Sequence, residues 1–371
     1  MIGLKSIHRL TQTLFFGFIF ATLLLTSTKT VTQTQSPGVI LGPWRETAPF
    51  ADGSHRSHPL PSFAVGSNFY VHTQTDSGND RIVYFARQRM DGSLTPWAIA
   101  LQDHGGGPHG YTAVATENTA YHFRNGHIGR YVIEQGTGLI SGIRLLENPA
   151  IHKPFSGAKY MWDTAVYVPA ATGHAYIYHL GGFDMTSYSY DLDDMHRTSA
   201  PIAQENAYFQ KLEGIVTPTK NPNKAAFYKK PDSSGEGYIY MGDRLSSKIY
   251  RIHIKENMAQ ASESWLDSGD LPEGNGNHLG DMFVIRDSLF VIRGSKVFRA
   301  IINARNGSLS AWDDSPPDLP EAQIDINWHW ANTEGASYGI IGDYVYVTGP
   351  QKVYFAKISE PIYQIFLTRI Q

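Results

Sequence analysis

VYFARQRMDGSLTPW, residues 83–97, is the stretch whose reading decides the fold. Val83, Phe85 and Arg87 alternate with Tyr84, Ala86 and Gln88, the period of a strand whose two faces meet different surroundings. Asp91-Gly92 follows, a dipeptide favoured in two-residue type I′ hairpins, and a second short strand closes at Trp97. The unit recurs. KVFRAIINARNGSLSAW, residues 296–312, places Phe298 where Tyr84 stood, Asn306-Gly307 at the turn and Trp312 at the end. GRYVIEQGTGLISGI from Gly129, KIYRIHIKENMAQASESW from Lys248 and KVYFAKISEPIYQIFL from Lys352 follow the same outline.

Taking the aromatic of each such strand as a marker gives Tyr84, Tyr131, Tyr190, Tyr250, Phe298 and Tyr354, a mean step of about 54 residues. Another β-rich run precedes every marker: FYVHT, AYHFR, AYIYHLGG, GYIYMG, LFVIRG and YVYVTG. Ahead of those lie short apolar runs, PSFAV from Pro61, TAVAT from Thr112, TAVYV from Thr164, AAFY from Ala225, DMFVI from Asp281 and ASYGII from Ala336. Four short strands per unit, copied in series, describe an all-β fold: a β-propeller of four-stranded antiparallel blades. Six blades are expected and seven are the alternative, because two segments compete to complete the last one. PGVILGPW, residues 37–44, has the small-residue-then-Trp ending of the repeat, so the start of the chain can pair with the blade made by its end. The C-terminal PIYQIFLTR competes for the same place.

Residues 1–27 read as a signal peptide or an N-terminal membrane anchor. Lys5, His8 and Arg9 precede an apolar run from Leu14 to Leu25, short for a membrane span and suited to the core of an export signal. Residues 28–36 are a polar linker, and residues 37–371 are expected to form the propeller. The expected location is extracytoplasmic: secreted, periplasmic or anchored, with a membrane engaged only through the N-terminal segment if it stays uncleaved. A net charge of -3 gives no basic surface for nucleic acid. The absence of cysteine removes disulfides, thiol chemistry and cysteine-rich zinc sites, so stability must come from packing.

HAYIYHLGGFDMTSYSYDLDD, residues 174–194, resembles a kelch repeat, in which a hydrophobic strand ends in a glycine pair and an aromatic follows on the next strand. Gly181-Gly182 match the pair, and Tyr188 or Tyr190 matches the aromatic. The other units lack the doublet and resemble the degenerate kelch-like units of bacterial exported proteins, in which a V-Y-x-A strand leads into D-G-S-L-x-x-W. The resemblance, of the galactose-oxidase central-domain type, implies a propeller over most of residues 37–371. It would also import a copper site with a Tyr cross-linked to a Cys, which a cysteine-free chain does not build. A propeller hosts unrelated activities, so function has to be read from its sites.

Two catalytic patterns fail on context. His104–Gly107, HGGG, resembles a lipase oxyanion loop, and Gly335–Gly339, GASYG, fits a nucleophile elbow around Ser337. That elbow needs a following helix and a later His, and the last His is His329. No catalytic residue or cofactor is specified by a motif.

The repeat itself supplies a better constellation. Residues just before each innermost strand are expected to gather at one mouth of the central channel, and reading back from those strands gives His58, His109, Asp163, Asn223, His278 and Glu334. Imidazole and carboxylate groups suit zinc, manganese or iron, or a general base. The plainer alternative is a water-filled channel lined with polar side chains. Tyr160 and Trp162 precede the third innermost strand, and Trp328 and Trp330 precede the sixth. Flat aromatic faces beside Asn and Asp suit a sugar ring, whereas Trp97, Trp265 and Trp312 are expected to pack between blades. A binding module for a carbohydrate, peptide or protein is therefore expected, the alternative being a metal-assisted lyase, hydrolase or isomerase built on the His and carboxylate ring.

Overall fold

A computed structural model describes residues 38–50, 62–74, 81–103, 112–116, 119–124, 127–134, 136–146, 163–169, 175–181, 186–191, 209–219, 222–231, 233, 235–243, 247–255, 264–273, 280–321, 338–349 and 352–360. Among these residues the regular elements are all strands, as the period-two patterns require. β1 (Ile40–Leu41) and β2 (Arg45–Glu46) come first. β3 (Ser62–Val65), β4 (Asn68–Gln74), β5 (Arg81–Arg87) and β6 (Ala98–Asp103) form an antiparallel meander, sheet 1. β7 (Thr112–Ala115), β8 (Ala120–Arg124), β9 (His127–Ile133) and β10 (Ile140–Leu146) form sheet 2. Sheet 3 is β11 (Asp163–Pro169), β12 (Ala175–Gly181), β13 (Thr186–Asp191) and β14 (Phe209–Val216). β15 (Pro222–Lys229), β16 (Gly237–Asp243), β17 (Lys248–Ile254) and β18 (Leu266–Asp270) make sheet 4. β19 (Asp281–Ile285), β20 (Ser288–Arg293) and β21 (Lys296–Ile301) make sheet 5, and Asp313 pairs with Arg299 along its outer side. β22 (Tyr338–Ile341), β23 (Tyr344–Thr348) and β24 (Val353–Ser359) make sheet 6, which β1 and β2 complete.

The sheets stand around one axis. First strands neighbour each other in the order β3, β7, β11, β15 and β19, and β22 returns to β3. Phe283 of β19 closes the remaining gap by packing on Tyr338 of β22, ring centroids 5.0 Å apart. The second strands of sheets 1, 4, 5 and 6 are buried on both faces, so they read as nearly continuous apolar runs. Tyr70 faces sheet 2 with Phe63 and Val83, while Phe69 and Val71 face sheet 6 with Tyr346 and Phe355.

The marker aromatics share one register in four sheets: Tyr84 opposite Val71, Tyr250 opposite Met241, Phe298 opposite Val291 and Tyr354 opposite Val347. In sheets 2 and 3 the equivalent places belong to Gly129, opposite His122, and Tyr188, opposite His179. Tyr131 and Tyr190 lie two residues further on. A slip of two keeps a residue on the same face, so the pattern conceals it. Sheet 2 compensates in volume, since Tyr131 fills the place held by Ala86 in sheet 1, where the residue opposite is Phe69.

The turns differ from the type I′ expectation. Gly92 and Gly307 have φ of 81° and 69°, while Asp91 and Asn306 are not left-handed, so a single glycine bends each connection. Asp91 Oδ1 accepts the Ser93 N–H at 2.9 Å, and Asn306 Oδ1 accepts the Ser308 N–H at 3.0 Å, which is why an Asx residue precedes the glycine.

Those turns tie sheet to sheet. Tyr70 Oη donates to the Gly138 carbonyl at 2.9 Å, Tyr240 Oη to Gly307 at 2.7 Å and Tyr346 Oη to Gly92 at 2.7 Å, each reaching the next sheet around the ring. Tryptophans reach the other way. Trp97 Nε1 donates to the Ala48 carbonyl at 3.0 Å, Trp312 to Asp270 at 2.9 Å and Trp44 to Pro317 at 2.7 Å. Trp97 and Trp312 thus pack between sheets as their place in the repeat predicts, and Trp44 ends its segment in the same way.

The N-terminal segment closes the ring. Ile40 and Leu41 pair with Ser359 and Ile358, and Arg45 and Glu46 pair with Phe355 and Tyr354. Val39, Leu41 and Trp44 are buried beside Val345 and Ile358. PIYQIFLTR and residues 1–37 lie outside the described residues.

Candidate functional site

The first strands surround a cavity of about 610 Å³ on the axis, a size usual for small-molecule sites. Its wall follows from the register. Ala64, Ala115, Tyr167, Phe227, Val284 and Ile340 stand opposite equivalent residues of the second strands, one per sheet. All but Val284 line the cavity, and each of the six is half-buried or exposed. They form an apolar collar at mid-depth. The polar lining expected of a water-filled channel is therefore not met by these side chains. Polarity enters through the backbone instead, because every first strand is the edge of its sheet and is paired on one side only.

Buried charge lies at the mouth where the first strands begin. Lys224 of β15 pairs with Asp281 of β19 across sheets 4 and 5, Nζ to Oδ1 3.7 Å, with 7% and 0% of the side chains exposed. An ion pair so enclosed is retained because removing one partner strands the other charge. Burial, and then the nearby Asp281 charge, raise the Tyr338 hydroxyl far above its ordinary pKa, so this cavity-lining phenol stays neutral. Thr348 donates to Ser62 Oγ at 2.6 Å, and Arg293 Nη1 donates to the Pro272 carbonyl at 2.7 Å. His72 Nε2 lies 2.9 Å from Tyr131 Oη, joining sheets 1 and 2.

At the opposite mouth Glu236 accepts from Lys230 Nζ at 2.5 Å and lies 2.8 Å from His253 Nε2. Lys230, and to a lesser degree His253, hold the Glu236 carboxyl below its ordinary value against a smaller opposing effect of burial. Lys229, the preceding residue, is exposed, lines the cavity and is ion-paired with no carboxylate among the described residues.

Of the sequence-expected site residues, two have described backbone. Asp163 opens β11, and Asn223 is the second residue of the neighbouring β15, so the repeat brings both to one mouth. His58, His109, Tyr160, Trp162, His278, Trp328, Trp330 and Glu334 lie outside the described residues. Sequence reasoning passed over Lys224, Asp281 and Tyr338. A signal existed: a charged residue opening an otherwise apolar first strand, as in DMFVI and KAAFY.

No family model and no curated protein matches the chain. Solved structures do. A luciferin-regenerating enzyme aligns with TM-score 0.50 and 10% identity, over 86% of this chain and 95% of that one. A carbohydrate-active enzyme of family AA12 from Trichoderma reesei aligns at 0.47 and 11%, over 91% and 100%. Regucalcin, a calcium-binding protein from Agrobacterium tumefaciens, aligns at 0.44 and 12%, over 86% and 100%. The chain is a β-propeller. At such identities the likeness is one of fold alone, and what this propeller does rests on its own residues. Kelch-type identity and export are expectations that the fold leaves as they were. Among the described residues of the propeller no group of three or more His, Asp or Glu side chains is placed to hold a metal, and eight of the ten expected site residues fall outside that set.

Proposed function

We propose that this chain is an exported, kelch-like propeller that binds a carbohydrate, peptide or protein ligand on one face, a carbohydrate being the class its residues suit best. The observation that carries this reading is the open axial cavity, whose wall combines the aromatic rings of Tyr167, Phe227 and Tyr338 with exposed strand edges. Aromatic faces take the C–H side of a sugar, and backbone N–H and C=O groups take its hydroxyls. Trp328 and Trp330 precede the strand that contributes Tyr338, and Tyr160 and Trp162 precede the one that contributes Tyr167. Export rests on the N-terminal apolar run, and the kelch-like reading rests on residues 174–194.

Calorimetric titration of the protein with neutral oligosaccharides tests the proposal. Saturable binding is expected, weakened roughly tenfold in Trp328→Ala or Trp330→Ala. The His and carboxylate ring gives the alternative outcome. A stoichiometric transition metal, lost in His109→Ala and His278→Ala and accompanied by turnover of a substrate, would replace the binding module with a metal-assisted enzyme.

A further inference from the structure

We infer that the axial channel takes the terminal residue of an acidic saccharide, with its ring in the apolar collar and its carboxylate at Lys229. The inference rests on the saccharide reading above and names the kind of sugar and the depth at which it sits. Three features of the channel carry it.

The first is charge. Among the described residues lining the cavity, the charged one is Lys229, and Glu236, which is not among them, is held by Lys230 and His253. A cation on the wall of the cavity with no acidic partner among the described residues favours an anionic occupant, and the anion that a sugar ring carries as part of its own skeleton is a carboxylate.

The second is the shape of the collar. Ala64 and Ala115, on the adjacent strands β3 and β7, are small, while Phe227 stands across the axis from Ala64 and Tyr167 across from Ile340, so the free space is widest between the alanines and Phe227. A six-membered ring fits such a space with its C–H face on Phe227.

The third is the strand edges. An alkyl carboxylate would match Lys229 and the collar equally well. It would also strip water from the edge N–H and C=O groups of the first strands without replacing any hydrogen bond, which is unfavourable. A sugar replaces that water with its own hydroxyls.

Titrate the full chain with methyl β-glucuronide, methyl β-glucoside and decanoate. The glucuronide is expected to bind at least tenfold more tightly than the glucoside. Lys229→Gln should abolish that preference, and Lys229→Arg should keep most of it. Ile340→Trp, which fills the channel from an exposed position, should weaken the glucuronide tenfold or more while the thermal midpoint stays within a few degrees. Equal binding of acid and neutral glycosides, or a preference that survives Lys229→Gln, overturns the inference. So does tighter binding of decanoate. Neutral saccharides that respond to Trp328→Ala and not to Lys229→Gln would leave the saccharide reading standing without the channel, and no saccharide binding at all would remove both.

Discussion

At the scale of the residue, the turn glycines carry more than a bend. Gly92 and Gly307 have left-handed φ and also lie under tyrosines of the preceding sheet, so a side chain at either place meets a ring. A Cβ on Gly307 would stand 2.6 Å from Tyr238 Cγ, and one on Gly92 would meet Tyr344. Gly66 has φ of 59° with nothing within 4 Å of the same position. Gly66→Ala is therefore expected to lose about 1 kcal/mol, the backbone term alone, while Gly92→Ala and Gly307→Ala lose about 2–4 kcal/mol. Urea unfolding midpoints of the three variants check this, and equal losses would show that the ring contacts do not matter. The D-G and N-G dipeptides announced the turns. That each glycine also accepts a tyrosine hydrogen bond was not legible, because the donor lies in another repeat.

At the scale of the element, the second strands of sheets 1, 2, 4, 5 and 6 each bury a tyrosine or phenylalanine, the first strand β15 buries Tyr228, and burial controls the ionisation of these tyrosines. Burial pushes the hydroxyls of Tyr70, Tyr121, Tyr228 and Tyr346 up to about 12 from an ordinary value of 10.0. A folded pKa above the unfolded one means the native state holds the proton more tightly. The corresponding stability is complete below pH 10 and is lost as pH rises from about 10 to about 12. Urea midpoints should thus be level from pH 8 to 9.5 and fall steeply above 10, in step with phenolate absorbance near 295 nm. A midpoint that is flat to pH 11.5 would contradict the burial of these groups. The strands were the most legible part of the chain. First strands such as SFAV, DMFVI and YGII and second strands such as GYIYMG and YVYVT lie where their patterns put them. Misplacement by two residues in sheets 2 and 3 went unseen, because period two records the face a residue takes and not its depth.

At the scale of the molecule, stability depends on closure. β24 is paired by β23 on one side and by β1 and β2 on the other, so its outer edge is covered by residues more than 300 positions earlier. Trp44 is 8% exposed and bonded to Pro317, and Trp44→Ala is expected to lose about 3 kcal/mol by thermal or urea unfolding. Removing the chain through residue 46 should uncover the β24 edge and give a less stable, associating protein by size-exclusion chromatography. A monomer of unchanged stability would mean another segment closes the ring. This pairing was readable from the likeness of PGVILGPW to SLTPW and SLSAW, a case where a long-range contact leaves a local trace because it completes a repeat.

By itself the sequence determined that the chain is made of strands, that four of them form a unit and that the unit recurs, and it offered PGVILGPW and PIYQIFLTR as rivals to complete the last unit. Alternation and repetition are properties of a chain read in order, so they survive without coordinates. Only the tertiary structure decided what the two faces of each strand meet. It set an apolar collar at mid-depth of the cavity, placed Lys224 against Asp281 across two sheets, and left Lys229 lining the cavity. Lys224 and Asp281 belong to different repeats, and such partners are chosen by packing around the axis, a relation through space that no spacing along the chain encodes.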